Sequence, residues 1–121
     1  MISIVIPTFN ESQNIVPLIK NLIVLISDFE YEIIVVDDDS PDGTSEEVTK
    51  FMKENKRIKL ITRIGRSGLS SAIKEGLIFA QGKYILVLDG DGQHHPSFVL
   101  DMLDVIAVSY THLTLPTNRE V

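Results

Sequence analysis

Two aspartates one residue apart, Asp89 and Asp91, follow a short apolar run and are spaced by glycines in Asp89-Gly90-Asp91-Gly92. Glycine lets the backbone turn sharply, so both carboxylates can converge on one hard cation. Gln93 adds a neutral oxygen within reach of the same point. A Mg2+ or Mn2+ ion bound by a few protein oxygens keeps open positions that substrate phosphates can fill. A solvated acidic turn would use the same residues. What favours the cation is a second acidic run earlier in the chain, Asp37-Asp38-Asp39-Ser40-Pro41-Asp42. Like charges this close repel one another unless solvent or hydrogen bonds intervene. Asp39 and Asp42 suit the N-terminus of a following helix, where the dipole favours carboxylates. Asp38 suits a hydrogen bond from the ribose or base of a nucleotide.

A third cluster is basic. Arg63-Ile64-Gly65-Arg66-Ser67-Gly68 precedes a helical pattern, so backbone N–H groups and two guanidinium groups could meet a phosphate there. An ordinary loop has the same composition. His94 and His95 are adjacent, and neighbouring residues in extended chain face opposite ways, so they are read as loop residues rather than a metal pair.

These clusters need elements to position them. Ile2-Ser3-Ile4-Val5-Ile6 reads as a buried strand ended by Pro7. Ser12 or Asn14 is placed to cap a helix over residues 15–29, apolar on more than one stripe and therefore largely buried. Residues 31–36 form a second strand. Thr44 and Glu47 have capping-box spacing for a helix reaching residue 54. Residues 58–61 give a third, shorter strand, and residues 69–80 a helix closed by Gly82 as its cap. Residues 84–88 are the fourth strand, and Pro96 opens a last helix through residue 106. Strand and helix thus alternate with short connections, which predicts an α/β fold with a mostly parallel sheet and helices on both faces. Ligands of such sheets sit at the carboxyl ends of the strands, where the acidic clusters fall.

Composition narrows the classes. The 121 residues are 44% hydrophobic, enough for one real core, and the net charge of −6 argues against a nucleic-acid surface. With no cysteine, a disulfide framework and a thiolate metal site are excluded. No charged segment precedes an apolar one as in a signal peptide, and the longest apolar stretch, residues 15–26, is too short to span a bilayer. The expectation is a cytoplasmic protein.

Four stretches carry a family resemblance: Val5-Ile6-Pro7-Thr8-Phe9-Asn10-Glu11, the run from Ile34 through Asp42 to Thr44, Arg63 through Leu69, and Asp89 through Pro96. Together the sequence resembles family 2 glycosyltransferases of the GT-A fold, most closely the polyprenol-phosphate (dolichyl-phosphate) mannosyltransferases. The resemblance covers residues 2–106. It implies that Pro7, Phe9, Glu11, Val36 and Asp38 hold the nucleotide of a sugar donor. It also implies that Asp89, Asp91 and Gln93 hold the divalent cation beside the Gly90 backbone, with Asp89 and Asp91 as the catalytic carboxylates. The donor implied is GDP-mannose first and a UDP-sugar second. The acceptor implied is a polyprenol phosphate, or another lipid or a polysaccharide with the UDP-sugar, and the location implied is cytoplasmic, including a peripheral position at the cytoplasmic membrane face. Departures exist: Phe9 stands where tyrosine is usual, Gly90 where alanine is common, and Ser70-Ser71 where glycine is usual.

The expected organisation is an incomplete nucleotide-sugar-binding domain over residues 1–108, inactive alone, and a tail over residues 109–121. That tail breaks the preceding pattern and resembles translated sequencing adapter, so it is set apart as non-native and His112 receives no role. A competing expectation is a receiver-type signalling module, since Asp37-Asp38 after a strand also suits an aspartyl-phosphate site. There the acidic pair should follow the first strand rather than the second.

Overall fold

The computed structural model describes residues 1–90 and residue 101. Strands β1 (Ile2–Thr8), β2 (Tyr31–Asp37), β3 (Ile58–Thr62) and β4 (Tyr84–Val87) alternate with helices α1 (Ile15–Ile26), α2 (Thr44–Met52) and α3 (Leu69–Phe79). All pairings are parallel, in the order β3-β2-β1-β4. The expected mostly parallel α/β architecture is present. The receiver-type alternative is not, because that doubly wound order places β3 beside β1, whereas here β4 lies there. The expected helix opened by Pro96 and the tail from residue 109 lie outside the described residues.

Strand alternation divides the core between two faces. Ile2, Ile4 and Ile6 of β1 join Ile33 and Val35 of β2 under α1 and α2. Val5, Ile34 and Val36 face the other way, against Ala72 of α3. Both faces are covered, which is why β1 and β2 are buried along their whole length and read as near-continuous apolar runs. In α1 the buried stripe is Ile15, Ile19, Leu22 and Ile26, while Val24 is exposed. The broad burial expected of this helix is thus narrower: one stripe, with half-buried flanks such as Leu18 and Ile23.

Several local expectations change. Pro7 does not end β1, which continues through Thr8 with Pro7 paired to Val36. The carbonyl of Val5 accepts from the Leu88 N–H and carbonyls alternate, so the N–H that Pro7 lacks would face β4. The β1–β4 ladder has reached its last pair, Val5 and Val87, by that point, so no ladder bond is lost. Helix α1 stops at Ile26 and α2 at Met52, each short of the expected end. Asn14 occupies the N-cap of α1 without a side-chain cap bond; its amide donates to Glu11 Oε1 at 3.1 Å.

Nor does Gly82 cap α3 in a left-handed turn, since the cap position is Ala80 in extended conformation. Gly82 serves a close approach. A Cβ there would lie 2.7 Å from the Met1 carbonyl and 2.7 Å from the Ser3 nitrogen. The Gly82 N–H donates to Ser3 Oγ at 2.8 Å, and Ser3 Oγ donates to the buried Glu32 at 2.6 Å. Glu32 also accepts from the Gln81 N–H and from Lys59. Burial pushes the Glu32 carboxyl up, but the bonds from Gln81, Lys59 and Ser3 outweigh it and hold the group below its ordinary value. This polar knot fixes where the chain leaves α3 and enters β4. Gly82→Ala should therefore destabilise the protein by about 1–3 kcal/mol, the usual cost of forcing atoms into a packed site. Urea unfolding would measure it, and an unchanged midpoint would show that the approach is not tight.

Candidate functional site

β1 lies between β2 and β4, so the strand order reverses there and a crevice opens at the carboxyl ends. The β1–α1 and β2–α2 loops are bound together above it. Asp37, wholly buried, accepts from Thr8 Oγ1 (2.7 Å), the Ser40 N–H (2.9 Å), Ser40 Oγ (2.6 Å) and Ser45 Oγ (2.9 Å). Four donors fill the lone-pair sites of one carboxylate. Further up, the Asn10 N–H donates to Ser40 Oγ, the Glu11 N–H to Thr44 Oγ1, and the Ser12 N–H to Asp42 Oδ2. Asp42 also accepts from the Thr44 N–H and hydroxyl. The expected Thr44–Glu47 capping box does not form: the N-cap is Gly43 at φ 92°, and Thr44 lies inside the helix. The expectation that Asp42 serves the helix N-terminus holds, since it binds the first helical N–H. Asp39 takes a positive φ of 53° in the turn.

Asp38 points elsewhere. Its Oδ1 accepts from Arg63 Nε at 2.7 Å, and its Oδ2 from Arg63 Nη2 at 3.3 Å and the Gly68 N–H at 3.0 Å. Arg63 is 1% exposed, donates also to the Gly68 carbonyl, and pairs through Nη1 with Glu75 at 3.5 Å. The hydrogen bond to Asp38 raises its pKa against the opposing effect of burial, with the Asp38 charge and Glu75 adding to the rise. The phosphate-binding reading of residues 63–68 is therefore corrected for Arg63, whose guanidinium is turned inward and engaged. Arg66, at the surface, pairs with Glu75 at 3.0 Å.

A cleft of about 420 Å³ opens beside this network, lined by Pro7, Thr8, Phe9, Asp38, Ser67, Gly68, Leu69 and Ala72. Three of the residues expected to hold a nucleotide thus share one wall: Pro7, Phe9 and Asp38. Phe9 is 57% exposed, leaving its ring available for stacking. Glu11 does not line the cleft; its carbonyl takes the Asn14 and Ile15 N–H groups, turning the chain into α1. Val36 does not line it either, being buried against Val5, Ile34 and Ala72 beneath the floor.

Gly90 lies on the other side of β1. A Cβ there would fall 2.6 Å from Thr8 Cγ2 and 3.4 Å from Glu11 Cγ, so this glycine brings the end of β4 onto the β1–α1 loop. Asp89, directly before it in the chain, is exposed. An oxygen-only set of Asp89, Asp91 and Gln93 fits a hard divalent cation, and the packing of Gly90 against Thr8 and Glu11 puts the Asp89 backbone near the end of β1. Asp91, Gln93, His94 and His95 lie outside the described residues. Among the described residues no group of three acidic or histidine side chains could hold a metal.

Sequence reasoning missed Thr8, Leu69 and Ala72 in the cleft, and Glu75 behind it. Thr8 stands opposite Asp37 in the parallel register, a signal that requires the register and not the sequence alone.

A family model described as "Glycosyl transferase family 2" matches residues 3–119. The dolichol-phosphate mannosyltransferase of Pyrococcus furiosus is 37% identical over 105 residues, covering 87% of this chain and 30% of that protein. The Saccharomyces cerevisiae protein of the same name is 37% identical over 100 residues, covering 80% of this chain and 38% of that one. Among solved structures, S. aureus TarS 1-349 superposes with a TM-score of 0.70 at 24% identity, over 88% of this chain and 32% of that one, a likeness of fold. Mannosyltransferase PcManGT from Pyrobaculum calidifontis, in complex with GDP-Man and Mn2+, gives 0.61 at 26% identity, over 96% of this chain and 33% of that one. The chain spans about a third of the length of these relatives.

Two outcomes follow from the network. Asp38→Ala leaves the buried Arg63 without its main partner and should cost about 3–5 kcal/mol in chemical denaturation. The Asp42 carboxyl is held below its ordinary value of 3.8, first by the Thr44 hydroxyl and then, against some desolvation, by Ser12 and the Thr44 N–H. Because the folded-state value is the lower one, its contribution is intact above pH 3.8 and fades as pH falls through the folded value. Asp42→Asn should flatten that part of the acid-unfolding profile, and a profile identical to wild type would remove Asp42 from it.

Proposed function

The chain belongs to glycosyl transferase family 2, and from that premise we propose that its cleft holds the nucleotide of a sugar donor for transfer to a polyprenol phosphate. The observation that carries this reading is the convergence of Phe9, Pro7 and Asp38 on one cleft at the point where the strand order reverses. Phe9 offers an aromatic face to a base, and Asp38 an acceptor to a base or ribose donor. In this reading the diphosphate extends toward Asp89, whose neighbour Gly90 packs on Thr8 at the end of β1. Mannose, carried by GDP, is the first choice of sugar, supported by the names of the two curated relatives and by the GDP-Man complex. A UDP-sugar is the second choice.

Asp89, Asp91 and Gln93 are the residues that would hold Mg2+ or Mn2+, whose charge, when bound, neutralises a leaving diphosphate. The chain's own contribution is positional. Phe9 and Asp38 fix the nucleoside, Gly90 permits the close packing that sets Asp89 beside it, and the Asp37 ladder keeps both loops in place. A lipid-phosphate oxygen is already anionic and needs no general base to attack the anomeric carbon, inverting it. Transfer onto a polyprenol phosphate would take place at the membrane surface; no helix among the described residues is long and apolar enough to cross one.

Titration calorimetry with GDP and with UDP, each with and without Mn2+, tests the reading. The expected outcome is nucleotide binding that strengthens with Mn2+ and loses that dependence in Asp91→Asn, while the melting temperature stays nearly unchanged. Absence of binding by either nucleotide at millimolar concentration would overturn it, and the better ligand of the two identifies the base.

A further inference from the structure

Asp38 lines the cleft, yet three donors already bind it before any ligand arrives. A carboxylate offers about four lone-pair sites, so about one remains for a ligand N–H or O–H. Whether that site is presented to the cleft depends on how the Arg63 guanidinium sits. Arg63 comes from the chain just after β3 and is buried, so its charge must be shared among the groups around it. Asp38 takes one edge of the fork. Glu75, on α3 and only 18% exposed, takes Nη1, and a second arginine, Arg66, backs Glu75 from the surface.

We infer that Glu75 is a positioning residue for the nucleotide cleft, acting through Arg63 to set the orientation of Asp38 and how strongly it accepts a ligand's hydrogen bond. The inference rests on the reading of the cleft as a nucleotide site. Two effects lead to it. Geometrically, Glu75 holds one arm of a planar fork whose other edge fixes the carboxylate plane of Asp38. Electrostatically, Glu75 draws part of the Arg63 charge away from Asp38, which leaves Asp38 a stronger acceptor for the ligand. Without Glu75 the guanidinium charge is left to Asp38 and the Gly68 carbonyl, and the Nη1 arm loses its anchor, so the fork can turn against the Asp38 carboxylate. The Gly68 carbonyl and N–H, bound to Arg63 and Asp38, carry the same constraint into the wall of the cleft.

Equilibrium dialysis of the chain against labelled GDP and UDP, with Mn2+, reads this directly, with each variant's unfolding midpoint measured alongside. Glu75→Gln should weaken binding of the preferred nucleotide roughly tenfold, within the range found for residues that couple without touching ligand. Glu75→Asp, which keeps the charge on a shorter arm, should recover part of the loss. In an Asp38→Asn background, Glu75→Gln should add less than about a twofold further loss, since its route runs through Asp38. A purely structural role would lower the midpoint and leave the dissociation constant of the folded protein alone. Wild-type affinity in Glu75→Gln, or losses that simply multiply with Asp38→Asn, would overturn the inference while leaving the nucleotide site standing. A wild-type chain that binds neither nucleotide would instead remove the nucleotide reading itself, and this role with it.

Discussion

The Asp37 carboxylate is the interaction on which the site depends. It ends β2, is wholly buried, and accepts from the end of β1, from its own turn and from the start of α2. A carboxylate in that position would be costly if any of its oxygens were left unpaired. Filling it with hydroxyls and an N–H turns the cost into a constraint, because each donor can sit in only one place. The β1–α1 loop is thereby registered against the β2–α2 loop, and Phe9 and Asp38 are brought to the same cleft, with the Asp38 N–H donating to the Thr8 carbonyl. The side chains that touch a ligand are few; those that hold them are many.

The second constraint is the reversal of strand order at β1. Helices α1 and α2 build the sheet outward on one side, and α3 crosses the opposite face to deliver β4 to the other edge. Small residues make that crossing possible. A Cβ on Gly76 would collide with Val5, and one on Gly82 with the start of β1. Gly90 repeats the pattern at the far end, where it lies on Thr8. β4 is held close to β1 at both of its ends, and Asp89, two residues beyond it, follows next to the β1–α1 loop. Geometry of this kind explains how residues far apart in sequence, Phe9, Asp38 and Gly68, come to line one cleft.

Much of this could be read from the chain. The apolar runs of β1 and β2 and the glycine-flanked helices made an alternating parallel fold the natural reading, and the family resemblance grouped Pro7, Phe9 and Asp38, which share the cleft, with Glu11 and Val36, which do not line it. The internal partners were not legible. Arg63 looks like a phosphate ligand in sequence, and only the fold shows that Asp38 and Glu75 surround it. Asp37 and Asp42 look like surplus charge, yet hydrogen bonds from residues some thirty positions away occupy them. Gly82 looks like a helix cap, because glycine answers to both positive φ and close approach and the sequence does not say which. Contacts between distant residues depend on register, and register is a property of the packed sheet.

The central claim is that the cleft between the β1–α1 loop, Asp38 and the start of α3 is the nucleotide site. Amide chemical-shift mapping during titration with GDP or UDP in the presence of Mg2+ tests it most directly. The account predicts the largest shifts at Phe9, Asp38, Ser67, Gly68 and Leu69, with smaller ones at Asp89 and Gly90. Shifts centred instead on the groove between α2 and β3, around Glu46, Lys50 and Thr62, would contradict it.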